Sequence, residues 1–150
     1  MSDKPLSGKT GVVFGVANKR SIAWSIAKAW AEAGANLIFS YQGDRLKGNL
    51  EALTASLGAD VPMFPCDVTK DEELDAFFEK VAEVAPTIDM VLHAVAFAPK
   101  EALEGKFLDT SRSAYAIAHD ISAYSLVAIC QRAAPMMPDG GSVIALSYYG

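Results

Sequence analysis

Residues 10–24 read Thr-Gly-Val-Val-Phe-Gly-Val-Ala-Asn-Lys-Arg-Ser-Ile-Ala-Trp, and the fold turns on them. Thr10 to Phe14 is a short apolar run with the makings of a buried strand. Gly15 follows at once. A helical pattern then opens at Ser21, with Ile22, Ala23, Ile26, Ala27, Trp30 and Ala33 spaced for one face and Gly34 as the closing glycine. A strand, turn and helix of this kind is where a dinucleotide-binding fold carries Gly-x-Gly-x-x-Gly. Here only Gly15 is present. By itself the corner reads equally as a phosphate seat or a plain structural turn. In the first reading Gly15 lets the chain turn where a side chain would obstruct it. Ser21 at the helix start, with the first free helix amides, then holds a diphosphate against the positive helix end.

Outward from this unit, strand and helix patterns alternate. Asn36 to Tyr41 reads as a second strand, and Asp44 to Leu57 as a helix with Leu46, Leu50, Leu53 and Leu57 on one face. Val61 to Cys66 is a short third strand whose two prolines favour a sheet edge. Thr69 with Glu72 forms a capping-box pattern that opens a helix running to about Ala85. Ile88 to His93 is a fourth strand, Ser111 or Ser113 to Ala134 one long apolar helix, and Gly141 to Ser147 a fifth strand. Helical crossovers between short apolar strands predict an α/β fold with a parallel sheet covered on both faces. Right-handed crossovers give a Rossmann-type doubly wound sheet of order 3-2-1-4-5, with its switch point between strands 1 and 4. Ligands are expected beyond the carboxyl ends of the strands. That places the sharp residues at Gly15 to Ile22, Gln42, Asp67-Val68, His93 to Ala98 and Ser147 to Gly150.

Composition narrows the function. With 51% hydrophobic and 21% charged residues among 150, a folded single domain over residues 1–150 is expected rather than a disordered chain. The net charge of -5 and the lack of a Lys/Arg cluster argue against a nucleic-acid partner. Cys66 and Cys130 lack any CxxC or metal-ligand spacing and read as buried, reduced thiols. The polar N-terminus has no signal core, and no run reaches the ~18 apolar residues of a membrane span. A soluble, cytoplasmic protein without a membrane partner is the expectation. The chain stops at Ser147-Tyr-Tyr-Gly150, directly after a strand, which reads as the interruption of a longer fold.

Six motifs carry a resemblance. Gly15-Val-Ala-Asn-Lys-Arg-Ser-Ile-Ala23 is similar to the modified fingerprint of the bacterial enoyl-acyl-carrier-protein reductases, a divergent branch of the short-chain dehydrogenase/reductase superfamily. Ser40-Tyr-Gln-Gly-Asp44, Cys66-Asp-Val68, His93-Ala-Val-Ala-Phe-Ala-Pro99, Ala118-His-Asp-Ile-Ser-Ala-Tyr-Ser125 and Leu146-Ser-Tyr-Tyr-Gly150 follow in order. Ordinary short-chain dehydrogenases carry Thr-Gly-x3-Gly-x-Gly and Asn-Asn-Ala-Gly at these places, so a ketoacyl or alcohol dehydrogenase is the rival enzyme reading.

The resemblance implies NADH-dependent reduction of a trans-2-enoyl thioester carried by acyl carrier protein, in a homotetramer. It implies that Gly15, Ser21 and Ile22 hold the NAD diphosphate. Gln42, a neutral strand end where an acidic residue would favour NAD and a basic one NADP, favours NADH over NADPH, while Arg45 and Lys47 keep NADPH open. Without the family, Gln42 is a solvated strand end. Asp67 and Val68 flank the adenine by resemblance, and Asp67 also suits a helix N-terminus.

By the same resemblance, Val95 matches the residue beside the nicotinamide-side ribose and Ala98 a backbone contact to the substrate or an inhibitor. Many relatives have Gly where Ala96 stands. His93 tempts as a general base, but its apolar setting favours a hydrogen-bonded structural histidine. His119-Asp120 lacks further metal ligands nearby and reads as interface and water network, with Ser122 where dehydrogenases place a structural Asn. The long apolar helix suggests oligomers. Tyr148, the catalytic candidate, matches the first of two tyrosines near the thioester, with core or rim packing as the plain alternative. The family's Tyr-x6-Lys pair is expected past Gly150. A non-catalytic NAD-binding or oligomerisation module is therefore the reading from another class.

Overall fold

The computed structural model describes residues 4–58 and 60–149. Five parallel strands, β1 (Thr10–Phe14), β2 (Asn36–Tyr41), β3 (Met63–Pro65), β4 (Met90–His93) and β5 (Ser142–Ala145), form one sheet in the order β3-β2-β1-β4-β5. Between them lie α1 (Ile22–Glu32), α2 (Gly43–Thr54), α3 (Asp71–Val84), a short α4 (Lys100–Leu103), α5 (Arg112–His119) and α6 (Ser125–Ala133). The expected doubly wound order is the one observed.

Side-chain alternation along the strands divides the core in two. Val12, Phe14, Ile38 and Val91 face one way and pack with Leu74, Phe77 and Val81 of α3 and Ile129 of α6. Val13, Leu37, Phe39 and Leu92 face the other way and pack with Trp24 and Ala27 of α1 and Leu50 of α2. Arg132 pins α6 to α3, donating from Nε to Asp75 at 2.6 Å and from a terminal guanidinium nitrogen to Asp71 at 3.2 Å.

The differences from the sequence reading have physical causes. On α1, Trp24 is buried and Ile22 is 65% exposed, so the buried stripe is turned away from Ile22. β3 is shorter than expected because prolines flank and end it, and it lies at the sheet edge as they require.

The Thr69–Glu72 capping box does not form. Lys70 is the N-cap residue of α3, and Glu73 reaches back instead, accepting from the Asp67 amide at 2.8 Å and from the Lys70 ammonium at 2.8 Å. Thr69 is turned to Asp67, its amide and hydroxyl both donating to Oδ1 at 3.0 and 2.7 Å.

The expected long helix is interrupted by a π-helical turn over Asp120–Tyr124. Ser111 caps α5 by accepting from the Ala114 amide. β5 is exposed along its length, with Val143 and Ile144 of the strand and Leu146 after it open to solvent. Cys66 is buried, while Cys130 is only half-buried.

Candidate active site

A cavity of about 320 Å³ opens beyond the carboxyl ends of β1, β2, β3 and β4, where a doubly wound sheet binds its ligand. Gly15, Gln42, Asp67, Val68 and Val95 all line it, joined by Leu46, Cys66, Thr69, Phe97 and Ile121. A hollow of about 380 Å³ lies at the opposite end of the sheet, among Thr10, Asn36, Val61 and Val84. It holds none of the predicted residues.

Gly15 is required by its place. Its φ is +103°, and a Cβ there would overlap the Ala94 carbonyl of the neighbouring β4 exit. Ser21 stands at the N-cap position of α1, yet its hydroxyl makes no bond to a helix amide. Its Oγ accepts instead from the amides of Ala17 and Asn18, at 3.0 and 3.1 Å. The loop is tightened further by Arg20 N–H donating to Asn18 Oδ1 at 2.8 Å. The helix ladder starts with the Trp24 amide donating to the Ser21 carbonyl, which places the Ile22 and Ala23 amides ahead of it and free for an anion. Ser21 and Ile22 therefore sit at the loop and helix start adjoining the cavity rather than in its lining.

On the β3 side, burial works against the Asp67 carboxylate. The Thr69 hydroxyl and amide, with Lys70 and Gln42 behind them, outweigh it and hold the carboxyl below its usual range. Asp67 is thus an ionised acceptor, its Oδ1 fixed by Thr69. Cys66 beside it is inert. Burial, with Glu73 and Asp67 adding to it, pushes the thiol up to about 12.

The β4 side is organised by the π turn. Ser122 Oγ accepts from the Phe97 amide and donates to the Phe97 carbonyl, both at 3.0 Å. Ser125 donates to the Ile121 carbonyl at 2.6 Å, so the 2.7 Å contact with His93 requires the ring Nε2–H to donate to Ser125 Oγ. His93 is 2% exposed, and burial lowers its pKa from the ordinary 6.5, so the ring is a neutral structural group. Its expected structural role fits this geometry. The π turn thus holds the segment after β4 at Phe97, and the start of α6 holds the end of β4 at His93, a placement typical of π turns near functional sites.

Ala98 follows Phe97 but does not line the cavity, and Tyr148 is 97% exposed and outside it. Asn49 was left unread in the sequence, while Ser122, read as interface and water network, holds Phe97, and Thr69, read as a helix cap, holds Asp67. Each is a small polar residue near a strand exit or on a helix facing one, which is the signal that was available.

The protein-family model described as Enoyl-(Acyl carrier protein) reductase matches residues 15–150. The chain belongs to that family. Among curated relatives of this reductase family, the NADH enoyl-[acyl-carrier-protein] reductase of Bacillus cereus is 49% identical over 146 residues, covering 97% of this chain and 57% of that protein. A Staphylococcus aureus relative named for NADPH is 42% identical over the same share of both chains. The crystal structure of FabI from Candidatus Liberibacter asiaticus superposes with a TM-score of 0.93 at 42% identity, over 97% of this chain and 56% of that one. The chain thus spans just over half the length of the reductases it matches.

The residues present fit a nicotinamide dinucleotide: a turn at Gly15 that brings the loop backbone to the cavity wall, free helix amides beside it, and a fixed carboxylate at Asp67.

Proposed function

We propose that residues 1–150 form the dinucleotide-binding unit of an enzyme that reduces the trans-2 double bond of an enoyl thioester on acyl carrier protein, in bacterial fatty acid biosynthesis. The observation that carries this reading is the cavity at the switch point, where five of the seven proposed cofactor residues meet. When bound, NADH supplies the hydride that the β carbon accepts. The chain's own groups bind and orient. Gly15 admits the diphosphate to the backbone. Ser21 accepts from two loop amides, which leaves its proton to donate, and the Ile22 amide adds a second donor. Gln42 takes the adenosine ribose, Asp67 accepts from the adenine amine and Val68 lies against the ring. Val95 borders the nicotinamide ribose, Ala98 offers backbone to the substrate and Tyr148 its phenol to the thioester carbonyl.

NADH is proposed over NADPH because Gln42 is neutral and Asp44 precedes Arg45 in the first turn of α2, offsetting its charge. Lys47 is engaged by Glu51 at 3.7 Å. A homotetramer is proposed from the outward apolar residues Tyr115, Tyr124 and Val127 around the π turn. Among the described residues no helix is long and apolar enough to cross a membrane, in keeping with the proposed cytoplasmic location. The position of Tyr148 outside the cavity favours one other reading, a non-catalytic NAD-binding module.

The test is NADH oxidation by the purified chain with crotonyl and longer enoyl thioesters, set against ketoacyl thioesters. Any turnover is expected with the enoyl substrates and none with the ketones. Turnover of the ketone alone would contradict the substrate class, and saturable NADH binding without turnover would assign the module.

A further inference from the structure

The loop that would receive the diphosphate is not held by its own residues alone. Asn49, on α2, donates from Nδ2 to the Ala17 carbonyl at 3.1 Å, across 32 positions of sequence. Ala17 is pinned on both sides of its backbone, since its amide is already taken by Ser21 Oγ. Asn49 lies three residues after Leu46, so both project from one face of α2, toward the cavity and its loop. The helix that begins at Gln42, on the adenosine side, is thereby tied to the β1–α1 loop on the diphosphate side.

We propose that Asn49 is a positioning residue for cofactor binding, setting the Ala17–Ser21 loop in the conformation that leaves the Ser21 proton and the Ile22 and Ala23 amides facing the ligand. It touches neither cofactor nor substrate. It acts by holding the Ala17 peptide, and it couples recognition of the adenosine half to the geometry of the diphosphate seat. This rests on the proposed NADH-binding reading.

Two variants of the full chain, Asn49→Ala and the near-isosteric Asn49→Leu, remove the donor at an exposed helix position, where the fold should survive. Hydrogen exchange at the Ala17 and Asn18 amides reports loop order without any ligand and should accelerate in both variants, with the melting temperature unchanged. NADH and ADP affinities should each fall about tenfold, the scale of one positioned hydrogen bond. Adenosine, which lacks phosphate, should bind as before. Unchanged exchange together with unchanged NADH affinity would overturn the proposal, as would an equal loss for adenosine and ADP. Should the unsubstituted chain bind no NADH while the exchange still accelerates, the tether stands and the functional reading falls.

Discussion

On the β3 side of the cleft, Asp67 is gripped by Thr69, its amide is taken by Glu73, and Glu73 is held by Lys70. On the β5 side, Val143, Ile144 and Leu146 face solvent and Tyr148 is almost fully exposed. The two sides share one sheet, yet only the first has its polar groups fixed by short-range partners. A site whose groups are fixed before the ligand arrives loses little on binding. An exposed phenol with no packing around it has no such advantage. Nucleotide binding and reduction should therefore separate in experiment, the first belonging to the fixed side of the cleft.

The strongest challenge to this contrast is Gly15→Val. The new side chain meets the Ala94 carbonyl at a φ of +103°. A loss of about 3 kcal/mol or more is expected, seen as a melting point lowered by about 10 °C and abolished nucleotide binding. A stable variant that still binds would remove Gly15 from the site. Next in size, Asp67→Ala should weaken adenosine and ADP about tenfold or more by calorimetry, the scale of a charged hydrogen bond. Equal affinity would move adenine recognition elsewhere.

Ser122→Ala tests the β4 side, where both Phe97 bonds are lost. About 1 kcal/mol and faster exchange at the Phe97 amide are expected. Unchanged exchange would mean the π turn does not organise that segment.

A pH series sharpens the same point. His93 has a folded pKa below its ordinary 6.5, so the unfolded chain takes up the proton first as pH falls. The neutral ring's contribution is complete above 6.5 and is lost as pH drops toward the folded value. His93→Gln should flatten the melting-temperature profile over that interval, and an unaltered slope would assign it to other groups. The smallest effect expected is that of Tyr148→Phe on stability and NADH affinity, which should not change. A clear loss of either would mean that the β5 side closes over the cofactor after all.

The sheet order was legible because β1 to β5 are short apolar runs separated by helical patterns, and right-handed crossovers leave few arrangements. That Gly15, Gln42, Asp67, Val68 and Val95 line one cavity was legible because strand exits in such a sheet converge. The π turn was not, since Asp120 to Tyr124 keeps ordinary helical composition and the bonds that accompany it, Ser122 to Phe97 and Ser125 to His93, span 25 and 32 positions. The capping box was misread for a similar reason. Thr69 found a better acceptor in Asp67, two residues back, and the cap moved to Lys70 with Glu73. The Asn49 tether joins residues 32 positions apart, beyond any local pattern.

The most direct measurement is an amide NMR titration of the 150-residue chain with NADH. Saturable shifts should gather at Gly15, Ile22, Gln42, Asp67, Val68 and Val95, and leave Thr10, Asn36 and Val84 at the other end of the sheet unmoved. No saturable shifts, or shifts confined to that other end, would contradict a dinucleotide seat beyond β1.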